Sequence, residues 1–276
     1  KNIPSFLKRH SFIKMMLKAG FLYPEQEITF NGNNKIHIDL NDPEPRNVYL
    51  KGEFDPYFFN IASTFLKSGS HFFDIGSNVG FCSFGLTCKV SPSVNFHLFE
   101  ANENLFSLLL KSRNLYPNWN FLLNNVCVSD KHGNSSFSVV EDQTGQSHVS
   151  ESPQNGINIT NLLVDEYCNE NNIHSIDFMK MDIEGYELKA LRGSSSLLQN
   201  HAIKSLYLEI IPENLNRYNL THIDILHYLE SFGYNFYFCK SEDKYLLKKD
   251  VIKFRNLELI PFNPIEYPVN YSTDIL

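Results

Sequence analysis

The chain has 276 residues, a formal net charge of −7, 42% hydrophobic residues and 20% charged residues. That composition suits a globular core needing no disulfide or metal, and it excludes wholesale disorder. No basic footprint is present, so no nucleic acid partner is expected; a neutral or cationic small substrate, or a sugar, is easier to accommodate.

In chain order, the first twenty residues carry Lys1, Lys8, Arg9, Lys14 and Lys18 and no acid. Phe6, His10, Ile13 and Leu17 recur there at helical spacing after Pro4. The stretch 4–18 reads as a basic helix docking its apolar face on the domain, with contact to a membrane surface as the lesser alternative. Residues 28–50 read as short strands around the turn Asn31-Gly32-Asn33-Asn34, followed by a Pro43/Pro45 stretch. Residues 56–67 read as a helix ended by Gly69.

From there strands and helices alternate. Strands are expected at 71–75, 95–99, 120–128, 176–181 and 205–210, and helices at 79–89, 103–115, 160–172, 186–199 and 222–232. Such alternation implies crossover units, an α/β fold and a Rossmann-like, mostly parallel sheet with helices on both faces. Residues 234–239 and 244–248 flank Ser241-Glu242-Asp243 and predict an antiparallel C-terminal hairpin at one sheet edge. The division expected is an N-terminal helix and short-strand extension (1–66), a main domain (67–262) and an irregular, Pro-rich tail (263–276).

Cys82, Cys88, Cys127, Cys168 and Cys239 are odd in number and dispersed, which reads as reduced thiols of a cytoplasmic protein. No secretory signal is legible, and no apolar run approaches the ~18 residues that a bilayer crossing needs. Oligomeric state is not written in the sequence.

Two constellations carry chemistry. In the first, the apolar run to Asp74-Ile75 enters Gly76-Ser77-Asn78-Val79-Gly80, and a second strand ends at Glu100, twenty residues after Gly80. Gly76 allows a sharp turn and close ligand approach, and Gly80 allows tight helix packing. Asp74 suits a cationic amino-acid moiety, and an acid placed like Glu100 accepts hydrogen bonds from ribose hydroxyls. A dinucleotide turn wants a glycine where Asn78 stands, to cradle a pyrophosphate. S-adenosylmethionine has no phosphate, so the spacing favours it over NAD.

The second constellation is Lys180-Met181-Asp182-Ile183-Glu184-Gly185, with Glu209 on the neighbouring strand. Strand alternation puts Phe178, Lys180 and Asp182 on one face, where Lys180 needs a carboxylate partner. Asp182 would position or deprotonate a hydroxyl. Lys180 would act electrostatically, or as a base if burial lowers its pKa. Asp182, Glu184 and Glu209 also offer oxygen ligands for a divalent cation such as magnesium. The alternative is a purely structural ion-pair network.

The runs FFDIGSNVGF, FEANEN, NNVCVSD and KMDIEGYELKALRG followed by SLYLEI resemble the FkbM-type methyltransferase family over roughly residues 50–240. The K-x-D-x-E-G-x-E segment is the most specific part. The resemblance implies a class I methyltransferase sheet, S-adenosylmethionine as donor and O-methylation of a hydroxyl, often on a sugar or polyketide-like product. It also implies that Asp74, Gly76, Ser77, Asn78 and Gly80 line the methionine end of the cofactor. By the same correspondence Glu100 and Ala101 meet the ribose, Asn125 and Val126 flank the adenine, and Lys180, Asp182 and Glu184 face the transfer centre. Ser77 stands where the family commonly has Ala. The variable stretch 141–158 would touch the acceptor, and its His148 is a further candidate base. An NAD-dependent nucleotide-sugar or alcohol dehydrogenase, and a catalytically silent binding module, are the alternatives.

Overall fold

The computed structural model describes residues 5–140, 144–150, 156–239, 252–254, 257–267 and 273–276. The N-terminal part runs α1 (Ser5–Lys18), β1 (Glu25–Phe30), β2 (Asn34–Asp39), α2 (Pro43–Lys51) and α3 (Pro56–Phe65). Strands β1 and β2 form an antiparallel hairpin around the expected turn. Helix α2 replaces what read as a Pro-rich stretch: Asp42 caps it by accepting from Glu44 N at 3.0 Å, and Pro43 sits where a helix needs no N–H. Buried Arg46 then ties α2 to the end of β2, its Nε donating to the Leu40 carbonyl at 2.8 Å. On α1, Ile13 is buried and Leu17 packs against the core, as expected for a docked helix.

The central part runs β3 (His71–Ile75), α4 (Phe81–Gly85), β4 (Asn95–Phe99), α5 (Glu103–Arg113) and β5 (Asn120–Asn124). A small excursion follows, with β6 (Cys127–Val128), β7 (Asn134–Ser138), β8 (His148–Ser150) and β9 (Ile157–Leu162). Then come α6 (Val164–Glu170), β10 (Phe178–Met181), α7 (Glu187–Arg192), α8 (Ser195–Gln199), β11 (Leu206–Ile210), α9 (Pro212–Asn216) and α10 (His222–Glu230). The chain closes with β12 (Phe236–Cys239), β13 (Ile252–Phe254), β14 (Leu257–Phe262) and β15 (Thr273–Ile275).

Among the described residues, nine strands form one sheet in the order β13-β14-β12-β15-β11-β10-β3-β4-β5. The five from β11 to β5 are parallel, and β15 is antiparallel to both β11 and β12. The chain leaves β3 toward β4 on one side and returns to β10 on the other. That reversal is the topological switch point, where open α/β sheets bind ligands beyond the strands' carboxyl ends.

Several expected elements divide. Residues 120–128 make two strands, because β6 leaves the large sheet to pair with β9 in a four-stranded one. The expected helix 160–172 begins only at Val164, since Thr160, Asn161 and Leu162 are taken by pairing with β7 and β6. Helix 186–199 breaks at Gly193, where a Cβ would lie 2.0 Å from the Ser129 carbonyl oxygen. The segment read as an irregular tail ends in β15, inside the sheet. Of the expected hairpin, β12 pairs with β14 and β15, and residues 244–248 lie outside the described residues.

Two cores flank the sheet. Phe73, Ile75, Met179 and Met181 face α6, α7 and α10, while Phe72 and Phe178 face α3, α4 and the β1–β2 hairpin. The N-terminal residues read as an extension are thus built into the second core. Phe58 of α3 carries much of this packing, with ring centroids 5.3 Å from Tyr207 and 6.2 Å from Phe178. Phe58→Ala is expected to cost about 3–5 kcal/mol, read as a lower urea midpoint; a neutral effect would show that α3 is dispensable to the core.

Candidate active site

The turn after β3 is held by β4. The amides of Gly76 and Ser77 both donate to the Phe99 carbonyl, at 3.0 and 3.1 Å. Gly76 and Asn78 lie in left-handed conformations, with φ of 75° and 52°. A side chain on Gly76 is blocked twice, because its Cβ would fall 1.9 Å from the Asp182 carbonyl oxygen. The loops leaving β3 and β10 therefore touch through backbone. Gly80 does not line the cavity: a Cβ there would strike Phe84 and Leu109, so it is a packing glycine.

Glu100 ends β4 almost completely buried and reaches back to this turn. Its carboxylate accepts from Asn78 N and from Asn102 N, each at 2.8 Å. Burial pushes it up to about 7, against the pull of those two amides. Ala101 and Val126 line the cavity beside it. Asn125 sits behind them and donates to the Glu100 and Ala101 carbonyls, so it shapes the strand exit without forming the wall.

At the end of β10, register places Lys180 opposite Asp74 on β3. Lys180 Nζ donates to the Gly76 carbonyl at 3.0 Å and lies 3.3 Å from Asp182 Oδ2 and 3.5 Å from Asp74 Oδ1. Burial alone would lower this ammonium, but the charges of Asp182 and Asp74 outweigh it and hold its pKa above the ordinary range. Lys180 is a fixed cation, and its reading as a base is corrected. Asp74 is fully buried, accepts from Ser83 Oγ at 2.6 Å and does not line the cavity. It anchors Lys180, which corrects its expected role against an amino group.

Beyond Lys180 the wall is acidic. Asp182 is partly exposed and lines the cavity with Glu184 and Glu209. Burial, then the nearby Asp182 carboxylate, push Glu209 up to about 10. Glu184, at φ 58°, accepts from Asn214 Nδ2 and has Arg217 Nη1 at 3.9 Å. Burial and Asp182 push it up to about 7. Buried Glu187 organises the loop, with Oε1 accepting from the amides of Ile183 and Gly185 at 3.1 Å each. Among the described residues no three His, Cys, Asp or Glu side chains converge as metal ligands, so the divalent-cation reading has no support.

These groups surround a cavity of about 450 Å³, within the range of small-molecule sites. His148 is not on its wall. Strand alternation in β8 turns Val149 inward, while His148 bonds the Gln146 carbonyl through Nδ1 at 3.0 Å. Residues the sequence did not single out complete the wall: Asp42, Glu44 and Asn47 from α2 and its cap, Phe137 and Thr144 from the excursion, and Tyr186. An Asp directly before a Pro, as at Asp42-Pro43, is a helix-start pattern that could have pointed to the first group. Asp42 Oδ2 accepts from Thr144 N at 2.9 Å and also from its hydroxyl, joining α2 to the excursion across the cavity mouth.

The model of the methyltransferase FkbM domain matches residues 74–236. The hexuronic acid methyltransferase AglP of Haloferax volcanii is 25% identical over 146 residues, 52% of this chain and 59% of that protein's own length. Among solved structures, a precorrin-6y C5,15-methyltransferase from Geobacter metallireducens aligns with a TM-score of 0.40 and 11% identity, over 78% of this chain and 82% of that one. A SAM-dependent methyltransferase from Aquifex aeolicus aligns with a TM-score of 0.39 and 16% identity, over 80% and 93%.

Two outcomes follow from the buried charges. Lys180→Met leaves Asp74 buried without its cation and should cost about 3–5 kcal/mol; adding Asp74→Asn should recover part of the loss in urea unfolding. Equal losses in the single and double variants would contradict the pairing. Second, Glu100 and Glu187 are held near 7 when folded against an ordinary 4.5. Between those values the unfolded chain releases protons that the folded chain keeps, so their stabilising contribution is full below about 4.5 and is lost as pH rises to about 7. The ligand-free melting temperature should fall across that window, and Glu100→Gln should flatten the slope; an unchanged slope would contradict it.

Proposed function

The chain belongs to the FkbM methyltransferase family, and from that premise we propose that it moves the methyl group of S-adenosylmethionine to a hydroxyl of an uncharged sugar. The fold is the class I methyltransferase sheet, and the dehydrogenase alternative falls with the family assignment. The wall suits this donor: Glu100 accepts from ribose hydroxyls, Gly76 lets the backbone come close, and Ala101 and Val126 border the base.

The observation that carries the reading is Asp182. Its carboxylate opens into the cavity where the turns after β3 and β10 meet, held by Lys180 on one side and Glu209 on the other. When bound, the donor supplies a methyl on a positively charged sulfur. Asp182 accepts the hydrogen bond of the acceptor hydroxyl, lines its oxygen up with that carbon and takes its proton as the C–O bond forms and the S–C bond breaks. Positioning supplies most of such an acceleration, with the base adding ~10²–10⁴-fold.

The likeness to a hexuronic acid methyltransferase supports a sugar acceptor. A uronate fits this wall poorly. Lys180 is the one Lys or Arg side chain among the described lining residues, and Gly76, Asp74 and Asp182 already engage it. A uronate carboxylate would meet Asp182, Glu184 and Glu44 with no unengaged cation among the described lining residues.

Methyl transfer from labelled donor to a panel of neutral sugar glycosides and their uronate counterparts tests this. Neutral hydroxyls should be methylated, and Asp182→Asn should lower kcat ~10²–10⁴-fold with a smaller change in S-adenosylhomocysteine affinity. Preference for uronates, or full activity in Asp182→Asn, would sink the proposal.

A further inference from the structure

Among the described residues six acids line the cavity: Asp42, Glu44, Glu100, Asp182, Glu184 and Glu209. Five have partners that the chain provides. Asp42 caps α2 and holds Thr144, Glu100 takes two amides, and Asp182 sits between Lys180 and Glu209. Glu184 takes Asn214. Glu44 differs: it lines the cavity, and no described residue donates a hydrogen bond to its carboxylate or pairs with it as an ion.

Its position is informative. A methyl group built on Gly145 would lie 3.5 Å from Glu44 Oε2 and 3.6 Å from Asn78 Nδ2. Glu44 and Asn78 of the glycine turn therefore both come close to Gly145, and all three lie on the cavity wall. Asp74, the acid expected to meet an amino group, is sealed behind Lys180. Desolvation at the cavity wall, then the charges of Asp182 and Asp42, push Glu44 up to about 7. A cation placed beside it would relieve that repulsion.

We propose that Glu44, on α2 and outside the region matched by the family model, is the carboxylate that binds the α-ammonium group of the methyl donor. This deepens the reading above. The donor's amino-acid end carries a cation that needs an acceptor, and among the described lining acids Glu44 is the one left with acceptor capacity beside the turn that holds the donor. Arg46 and Asp42 fix α2, so the carboxylate is presented by a rigid helix start.

The test is calorimetric and needs no acceptor. Wild type and Glu44→Gln are titrated with S-adenosylhomocysteine and with 5′-deoxy-5′-methylthioadenosine, which keeps adenine, ribose and sulfur but lacks the amino-acid end. S-adenosylhomocysteine should bind the variant ~10-fold or more weakly, while methylthioadenosine stays within about twofold and reports an intact fold. Equal weakening of both ligands, or unchanged affinity for S-adenosylhomocysteine, overturns the assignment. Wild type that binds neither ligand would remove the donor reading itself, a different failure from a variant that behaves like wild type.

Discussion

The buried ammonium of Lys180 is the interaction on which the site depends. A cation with so little exposure is tolerable only when paired, and here it lies between Asp74 and Asp182 while donating to the Gly76 carbonyl. One side chain thereby fixes three things at the switch point of the sheet: the end of β3, the end of β10 and the carbonyl of the turn between β3 and α4. The Gly76–Asp182 backbone contact is possible only because Gly76 lacks a Cβ. Charge pairing and steric permission act together.

From that centre the cavity is assembled by three separate stretches. The parallel sheet supplies the turn, Glu100 and Asp182. The excursion between β5 and α6 supplies Phe137, Thr144 and Val149. The N-terminal α2 supplies Asp42 and Glu44, and the Asp42–Thr144 bonds link these last two stretches. Among the described lining residues acids outnumber cations, which disfavours anionic acceptors and favours a donor whose sulfonium and ammonium outweigh its one carboxylate. Burial raises Glu100, Glu184 and Glu209, and the Asp182 charge adds to it at Glu184 and Glu209.

What could be read from the sequence was the part written in short-range pattern. His71–Ile75 and Asn95–Phe99 were legible as strands, the glycine turn as a ligand loop, and the alternation of Phe178, Lys180 and Asp182 as one face of a strand. Partnership was harder. That Lys180 stands opposite Asp74 is a matter of register between strands far apart in the chain, so Asp74 looked like a ligand group when it is a counter-ion. His148 lost its place to Val149 through a one-residue phase in a three-residue strand. Glu44 was invisible because two prolines disguised a capped helix as a loop, and nothing local says that this helix borders a turn more than thirty residues away.

A crystal structure with S-adenosylhomocysteine tests the central claim most directly. The predicted density places the ribose on Glu100, the sulfur between the Gly76 turn and Asp182, and the amino group toward Glu44. Ligand bound away from this cavity, or with its ribose remote from Glu100, would contradict the account.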